Sequence, residues 1–569
     1  MTAVALPRQK RIEPAGAQQE AVTLTHFRLM LVMLLFMGVA AVIASRLLFL
    51  AAFGDEASGG RRSALGIPPR ADIVDRNGVP LARTIDAWSI AIHPSRLVND
   101  PEDLAPKLAA MMPEKTEAQY LAMLRSGKNF AYLRRRAMPE LVQAVNALGE
   151  PAIEFQREPE RLYPQASLAS HILGFTNREG LGVGGIEGAF EKRLIDPAMR
   201  DKPIQLSIDS RVQAVMESEL YSAMMRFQAI GATGVVLNVR TGEVVALASL
   251  PSFNPNAPGR VTQDLLYNKA TMGVYELGST FKAITMANGI ESGVLHSMAQ
   301  TYDATASLQI GRFRINDDHP KRRFLSVPEI MVYSSNIGTA RIAEELGQAR
   351  ELAMFRRLGF DRKVDIEIPE KSVPLLPGYW GRTTVMTVAY GHGIAVTPLH
   401  LANAYAALVN GGVLRPATLM KRDPDHLPAG RRVISEDTSF KVRQLMRMVV
   451  MPETGGTGKS ANAIGFRVGG KTGTAEKASN GGYARHSLVT TFAGAFPMDD
   501  PKYIVLAMLD EPKGTKETYG FATAGWNAGP VVGKVIARVG PMLGVMPDEN
   551  RDIDVSQLMP LVAPVTKGH

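Results

Sequence analysis

Hydrophobic and polar positions change their pattern several times along the chain, and each change predicts a different kind of element. Leu29 to Ser45 is uninterrupted by charge; after Arg46 the apolar run resumes as Leu47 to Phe53. As a helix rising about 1.5 Å per residue, Leu29–Phe53 would span roughly 37 Å, enough to cross a bilayer. It is apolar on every face, unlike a buried soluble helix. Arg46 lies about a turn or two from the far end, where its stem can snorkel to headgroups or pair with a partner helix. The polar leader carries Arg8, Lys10, Arg11 and Arg28. Such a basic flank predicts a cytoplasmic N-terminus with the remainder exported. A cleaved signal peptide is the competing reading, but the run is long for one and no small-residue cleavage site stands out. The expectation is a single uncleaved membrane helix.

Past a Gly/Ser-containing linker, Gly54 to Arg62, the pattern shortens. Ala71 to Ala82 reads as strand, tight turn at Asn77-Gly78, strand. Residues 101–150 are helix-rich, with amphipathic periodicity over Glu117–Ser126 and Pro139–Leu148. The glycine-rich Gly180 to Glu187 lacks the preceding strand of a phosphate loop and reads as a structural turn. Near Pro203 the pattern changes again. Ile204–Ile208 alternates like a strand, Ser210 to about Phe227 is helical, and Ala232–Asn238 and Val244–Ser249 form a hairpin through Arg240–Glu243. A helix over Phe281–Ile290 opens a long helical section. Ser487–Phe496 and Lys502–Leu509 close the pattern as strands, with Lys471 on the strand before them. Strands, then helices, then strands predict an α+β fold with a central antiparallel sheet flanked by helices. The predicted organisation is a tail over 1–28, a membrane helix over 29–53, a first domain over 54–203, a second over 204–545 and a polar tail over 546–569.

Composition narrows the function. A chain of 569 residues holds two or three domains, and 46% hydrophobic with 21% charged residues is ordinary for a globular protein. The net charge of +9 comes without a Lys/Arg-rich block, which does not favour nucleic acid and fits an anionic membrane or cell-wall surface equally well. With no cysteine, disulfides, thiolate metal sites and a cysteine nucleophile are excluded. His392 and His400 form an isolated pair that reads as structural, so no metal or cofactor is expected. Gly455-Gly456-Thr457-Gly458-Lys459-Ser460 imitates a phosphate-binding loop, but Glu453 stands where that pattern needs glycine.

The chemistry points to Tyr275-Glu276-Leu277-Gly278-Ser279-Thr280-Phe281-Lys282. A serine at a helix start has its lysine one turn later on the same face. Unpaired backbone N–H groups and the positive dipole end suit a developing oxyanion, and together these describe an activated serine nucleophile. Ser-x-x-Lys alone is weak, since a chain this long is expected to hold roughly one or two by chance. Ser334-Ser335-Asn336 and Lys471-Thr472-Gly473-Thr474 follow in order, and this trio is shared by penicillin-binding proteins and class A β-lactamases.

Over residues 65–535 the chain resembles the class B penicillin-binding proteins, which are peptidoglycan D,D-transpeptidases. Besides the trio, the resemblance rests on Asp75-Arg76-Asn77-Gly78, Arg161-Leu162-Tyr163-Pro164, Gly185-Ile186-Glu187 and Gly391-His392-Gly393-Ile394-Ala395-Val396-Thr397-Pro398. His171-Ile172-Leu173-Gly174-Phe175-Thr176-Asn177 and the compact first module make it most similar to the septal, cell-division type (FtsI type). The resemblance implies a non-catalytic pedestal (dimerisation-type) domain and a transpeptidase domain outside the cytoplasmic membrane at the division septum. It also implies lipid-linked peptidoglycan with D-Ala-D-Ala stem peptides as substrate, β-lactams as covalent ligands, and a lipid II polymerase of the FtsW type with other division proteins as partners. Leu277 replaces the usual proline, for which a local backbone change without lost activity is expected. Trp526-Asn527-Ala528-Gly529-Pro530 departs from the usual ending.

In that chemistry Ser279 attacks the carbonyl between the last two D-alanines, and Lys282 takes its proton. Neutralising a lysine at pH 7 costs about 4.6 kcal/mol from its reference value, so burial and the nearby charge of Lys471 are expected to lower it. Ser334 is assigned a proton relay and Asn336 the substrate amide and the orientation of Lys282. Gly473 is expected to let the substrate lie along the strand edge, and Thr472 and Thr474 to bind the terminal carboxylate. The N–H groups of Ser279 and Thr474 form the oxyanion hole. A Glu-x-x-Leu-Asn deacylation stretch is missing, which argues against a β-lactamase. Readings as a D,D-carboxypeptidase or membrane-anchored β-lactamase, a non-catalytic penicillin sensor or an elongation-type transpeptidase stay open at this point.

Overall fold

The computed structural model describes residues 29–45 and 69–564 except 178, 312 and 480–481. Residues 29–45 are helical with exposed side chains and belong to a unit separate from the one that begins at Ile67. Among the described residues no helix is long and apolar enough to cross a membrane. The predicted span continues to Phe53, and that part lies outside the described residues.

The first domain is built on β2 (Pro80–Ile92), a long strand that follows β1 (Ile73–Val74) and pairs antiparallel with β1, β3 (Ala131–Ala137) and β4 (Ile153–Leu162). The intervening sequence folds as α1 (Pro101–Met111), α2 (Glu117–Leu124) and α3 (Pro139–Asn146). Asp100 caps α1, and Thr116 with Gln119 forms a capping box on α2. Ile90, Leu104, Leu108, Tyr120 and Leu133 close a small core between these helices and the sheet. The helix-rich reading of residues 101–150 holds for all three helices; the amphipathic pattern delimited α2 and α3, while in α1 the interior Pro106 interrupts it.

The motifs that carried the resemblance prove to be the joints of this domain. Glu187, fully buried, accepts Arg70 Nε at 2.9 Å and Arg161 Nε at 2.7 Å, so one carboxylate ties three distant segments. Asp75 accepts the N–H groups of Asn77 and Val79 at 2.7 and 2.9 Å, closing its own turn. The same carboxylate accepts Ser210 Oγ at 2.8 Å at the start of the second domain's first helix. His171 bonds the carbonyl of Leu265 at 2.8 Å, and burial pushes its pKa down to about 4, so it serves as a neutral tie. The strand expected over 204–208 is shorter: β5 (Ile204–Gln205) pairs parallel with β1, and Leu206 bridges to Met420.

The second domain is a five-stranded antiparallel sheet in the order β8 (Gly469–Ser479), β9 (Gly482–Phe496), β10 (Tyr503–Asp510), β6 (Gly231–Asn238), β7 (Val244–Leu250). The three strands β10, β6 and β7 are near-continuous apolar runs because both faces are covered, whereas the edge strand β8 is rich in glycine, threonine and lysine. Ile504, Leu506 and Met508 of β10 enter one core with helices α5 (Phe281–Glu291), α8 (Pro398–Val409) and α9 (Glu436–Val450). Val505, Ala507 and Leu509 enter the other with α4 (Ser210–Arg226) and α10 (Ala528–Val539). The two helices that flank Ser334, the short α6 (Val327–Val332) and the long α7 (Asn336–Leu358), join on the α5 side. This is the α+β layout expected.

The polar tail expected over 546–569 is corrected for its described part, residues 546–564: Ile553, Val555, Leu558 and Val562 are buried in the main core, and Arg447 pairs with Asp552. Asp554, Ser556 and Gln557 intervene among the first three, so the start of the stretch reads as polar although one side of it is packed.

Candidate active site

Ser279 sits half-buried in a single turn, Gly278–Thr280, that runs straight into α5. The turn is held from beneath: Thr280 Oγ1 donates to Leu277 O at 2.9 Å, and the buried Tyr405 hydroxyl donates to Thr280 O at 2.6 Å. Leu277 has φ −96°, outside the window of about −65 ± 15° that a proline ring allows. A proline would not fit this backbone unchanged, and the turn forms with leucine in its place.

Lys282, one turn on, is 0% exposed. Its amine bonds Ser334 O at 2.5 Å, Ser334 Oγ at 3.1 Å and Asn336 Oδ1 at 2.7 Å. Three acceptors match the three N–H bonds of an ammonium, so loss of one proton frees a lone pair within the cluster. Asn336 is fixed in turn, its Nδ2 donating to Asn316 O at 2.9 Å. Ser335 caps α7 through Gly338 N at 3.0 Å and donates to Asp317 at 2.7 Å. Ser334 between α6 and α7 has φ 59°, a left-handed conformation that costs a serine about 1–3 kcal/mol and persists where the surroundings over-determine it.

Lys471, also 0% exposed, donates to the same Ser334 Oγ at 2.9 Å. Ser334 thus bridges two buried lysines. Burial pushes Lys282 down to about 7, against the opposing pull of Asp317 and Asp318. Lys471 is lowered well below the ordinary lysine value, first by burial and then by the charge of Lys282. Of the two causes expected for Lys282, burial and a neighbouring cation, burial is the larger.

The Lys471–Thr474 motif lies on β8, the edge strand of the sheet, paired with Phe492 opposite Thr472 and Thr490 opposite Thr474. Thr472 Oγ1 bonds Thr457 Oγ1 at 3.0 Å, and Thr474 Oγ1 accepts Ala524 N at 3.1 Å. Gly473 faces the other way. A β-carbon there would meet Leu277 O at 2.2 Å and Thr280 Cγ2 at 2.8 Å. The glycine is needed for the strand to approach the Ser279 turn, a role the sequence reading placed on substrate access instead. The backbones of the two expected oxyanion donors come together by the same approach: a β-carbon on Gly278 would lie 3.3 Å from Thr474 N.

A cleft of about 420 Å³ opens over this arrangement, lined by Ser279, Ser334, Thr472 and Thr474. Lys282, Asn336 and Lys471 lie beneath it. The sequence reading missed its remaining walls: Asp318, His319 and Tyr333 on one side, and Thr457, Lys459, Ser460 and Trp526 elsewhere. The false phosphate loop at Gly455–Ser460 is one of these walls. Its glycines had a physical purpose that the failed nucleotide pattern concealed, since a β-carbon on Gly456 would lie 2.2 Å from Val449 O. The unusual Trp526-Asn527 ending supplies one lining residue and the cap of α10, with Asn527 Oδ1 accepting Ala528 N at 2.6 Å. His400 is structural as expected, bonded to Thr397 Oγ1 at 2.7 Å and Arg362 O at 3.0 Å, and burial lowers it to about 4.

Comparison with known proteins gives two family matches. Residues 66–195 match the penicillin-binding protein dimerisation domain, and residues 232–535 match the penicillin-binding protein transpeptidase domain. A probable peptidoglycan D,D-transpeptidase FtsI of Caulobacter vibrioides is 40% identical over 483 residues, covering 84% of this chain and 82% of that one. The peptidoglycan D,D-transpeptidase FtsI of Escherichia coli is 28% identical, covering 84% of each chain. Among solved structures, penicillin-binding protein 3 of Mycobacterium tuberculosis in complex with aztreonam shares the fold, with a TM-score of 0.68 and 24% identity over 88% of this chain and all of the other.

Proposed function

The chain belongs to the class B penicillin-binding proteins, and on that footing we propose how its own residues carry out the reaction and where it takes place. The protein is a peptidoglycan D,D-transpeptidase of the septal type. The observation that carries the residue assignment is Ser334 Oγ held at 3.1 Å from Lys282 and 2.9 Å from Lys471, beneath a cleft onto which Ser279 opens.

Neutral Lys282 accepts the Ser279 proton as Oγ attacks the carbonyl between the two terminal D-alanines. The oxyanion faces the backbone N–H groups of Ser279 and Thr474; one such donor contributes about 3 kcal/mol. The C–N bond breaks, and the proton passes from Lys282 through Ser334 Oγ to the departing amine, with Lys471 steadying the relay. D-alanine leaves and an ester to Ser279 remains. An amine from a neighbouring stem then attacks the ester, gives its proton back through the same relay to Ser279, and a peptide crosslink results. The substrate backbone extends along the free edge of β8 as an added strand. Thr472 and Thr474, on one face of that strand, hold the terminal carboxylate. β-Lactams, which mimic the D-Ala-D-Ala end, acylate the same serine.

Residues 29–53 anchor the chain in the cytoplasmic membrane, with the N-terminus inside and both folded domains outside at the septum. The basic leader and the uncharged run over 29–45 support this. The anchor and the pedestal are the surfaces for a lipid-linked glycan polymerase of the FtsW type and other division proteins. Mass spectrometry of purified protein incubated with glycan chains bearing D-Ala-D-Ala stems tests the activity. Crosslinked dimers with one D-alanine released per crosslink are expected. Trimmed stem acids without dimers would contradict it and favour a D,D-carboxypeptidase.

A further inference from the structure

Residues 551–563 run from α9, where Asp552 and Asp554 are held by Arg447 and Gln444, to α6, the short helix that delivers Ser334 to the lysines. Burial seats the segment, since Ile553, Val555, Leu558 and Val562 share a core with Ile330 and Met331 of α6. Charge anchors it, with Arg447 Nε at 3.0 and 2.8 Å from the two carboxylate oxygens of Asp552. At α6 it makes three hydrogen bonds. Ser326 Oγ, at the N-cap, donates to Leu561 O at 2.6 Å, and Ala563 N donates to Glu329 Oε1 at 2.9 Å. Past the far end, Tyr333 OH donates to Ala563 O at 3.2 Å. Tyr333 is the residue before Ser334, and it also lines the cleft.

From this juxtaposition we infer that residues 551–563 form a strap that sets the position of Ser334, with Tyr333 as the positioning residue between them. A six-residue helix has no stability of its own, so its ends lie where their contacts hold them. The strap bonds both ends. The left-handed backbone of Ser334 needs such over-determination to persist. The relay needs it too, because Ser334 Oγ reaches two amines at once, and a misplacement of about 1 Å can cost roughly 10²-fold in rate.

The inference rests on the assignment of Ser334 as proton relay. Its test is rapid-mixing acylation of the full chain by a fluorescent penicillin, resolved into a noncovalent dissociation constant and a first-order acylation constant. Wild type, Tyr333→Phe and a chain ending after Pro560 are compared. The strap predicts an acylation constant lowered several-fold in Tyr333→Phe and at least about tenfold in the shortened chain. Dissociation constants stay near wild type, and so does the unfolding midpoint of Tyr333→Phe. A strap that only stabilised the fold would lower the midpoint of the shortened chain and leave the acylation constant of the folded protein unchanged, which overturns the inference. Where the shortened chain fails to fold, Tyr333→Phe decides by the same split. Wild type that fails to acylate overturns the Ser279 reading and the strap with it; wild-type acylation matched by both variants overturns the strap alone.

Discussion

Gly473 and Leu277 are so close that a β-carbon on the glycine would lie 2.2 Å from the leucine carbonyl oxygen. That oxygen is backbone, anchored by Thr280 Oγ1 at 2.9 Å, so it cannot swing aside as a side chain would. The contact joins the edge strand to the turn that carries Ser279.

Gly473→Ala therefore separates the strand from the nucleophile. The expected outcome is a loss of acylation of about 10²-fold or more, with the protein still folded. Kinetics of penicillin labelling beside thermal unfolding measures both. Labelling at the wild-type rate would contradict the assigned contact.

Lys282 acts as base only when neutral, and burial places its pKa at about 7. Below that value the neutral fraction falls tenfold per pH unit, so the acylation rate climbs as pH rises toward about 7 and levels off above it. Lys282→Arg keeps a charge at every pH; it is expected to lose about 10²–10⁴-fold and the pH step with it. A pH–rate series on both proteins checks this. A variant that retains the step would assign the titration to another group.

Glu351 on α7 is a cost the fold carries away from the cleft-lining residues. It is 3% exposed, neither carboxyl oxygen has a hydrogen-bond partner among the described residues, and burial raises its pKa to about 9. The folded state holds a proton that the unfolded chain releases above about 4.5, so stability falls as pH rises from about 4.5 to about 9. At pH 7 the loss is on the order of 3 kcal/mol. Glu351→Gln is expected to match wild type near pH 4.5 and exceed it increasingly toward pH 9. Unfolding midpoints across that range decide it; parallel curves would contradict the assignment.

Much of this was legible in the residues. Ser279, Lys282, Ser334, Asn336 and Lys471 announce themselves because each needs a particular functional group at a particular spacing, and the structure brings all five together. Strands β6, β7 and β10 were legible too, since their side chains are buried on both faces and read as apolar runs, while β8 was placed by its Lys-Thr-Gly motif and the strands that follow it. Three things were not. The cleft walls at Thr457, Lys459 and Trp526 come from loops whose proximity is set by tertiary packing, which local pattern does not encode. The packing of Ile553, Val555 and Leu558 was masked by the polar residues between them, Asp554, Ser556 and Gln557. The weight of burial against the second lysine in the Lys282 shift was not legible either, because sequence gives the presence of a second lysine but not the degree of burial.

The most direct test of the account is covalent labelling of Ser279. Purified full-length protein and its Ser279→Ala variant are incubated with a fluorescent penicillin, and the label is followed over hours. The account predicts one stable label on wild type, on the peptide containing Ser279, and none on the variant. Label on the variant, or on no protein at all, would contradict the nucleophile assignment; rapid loss of label from wild type would mark a hydrolase instead.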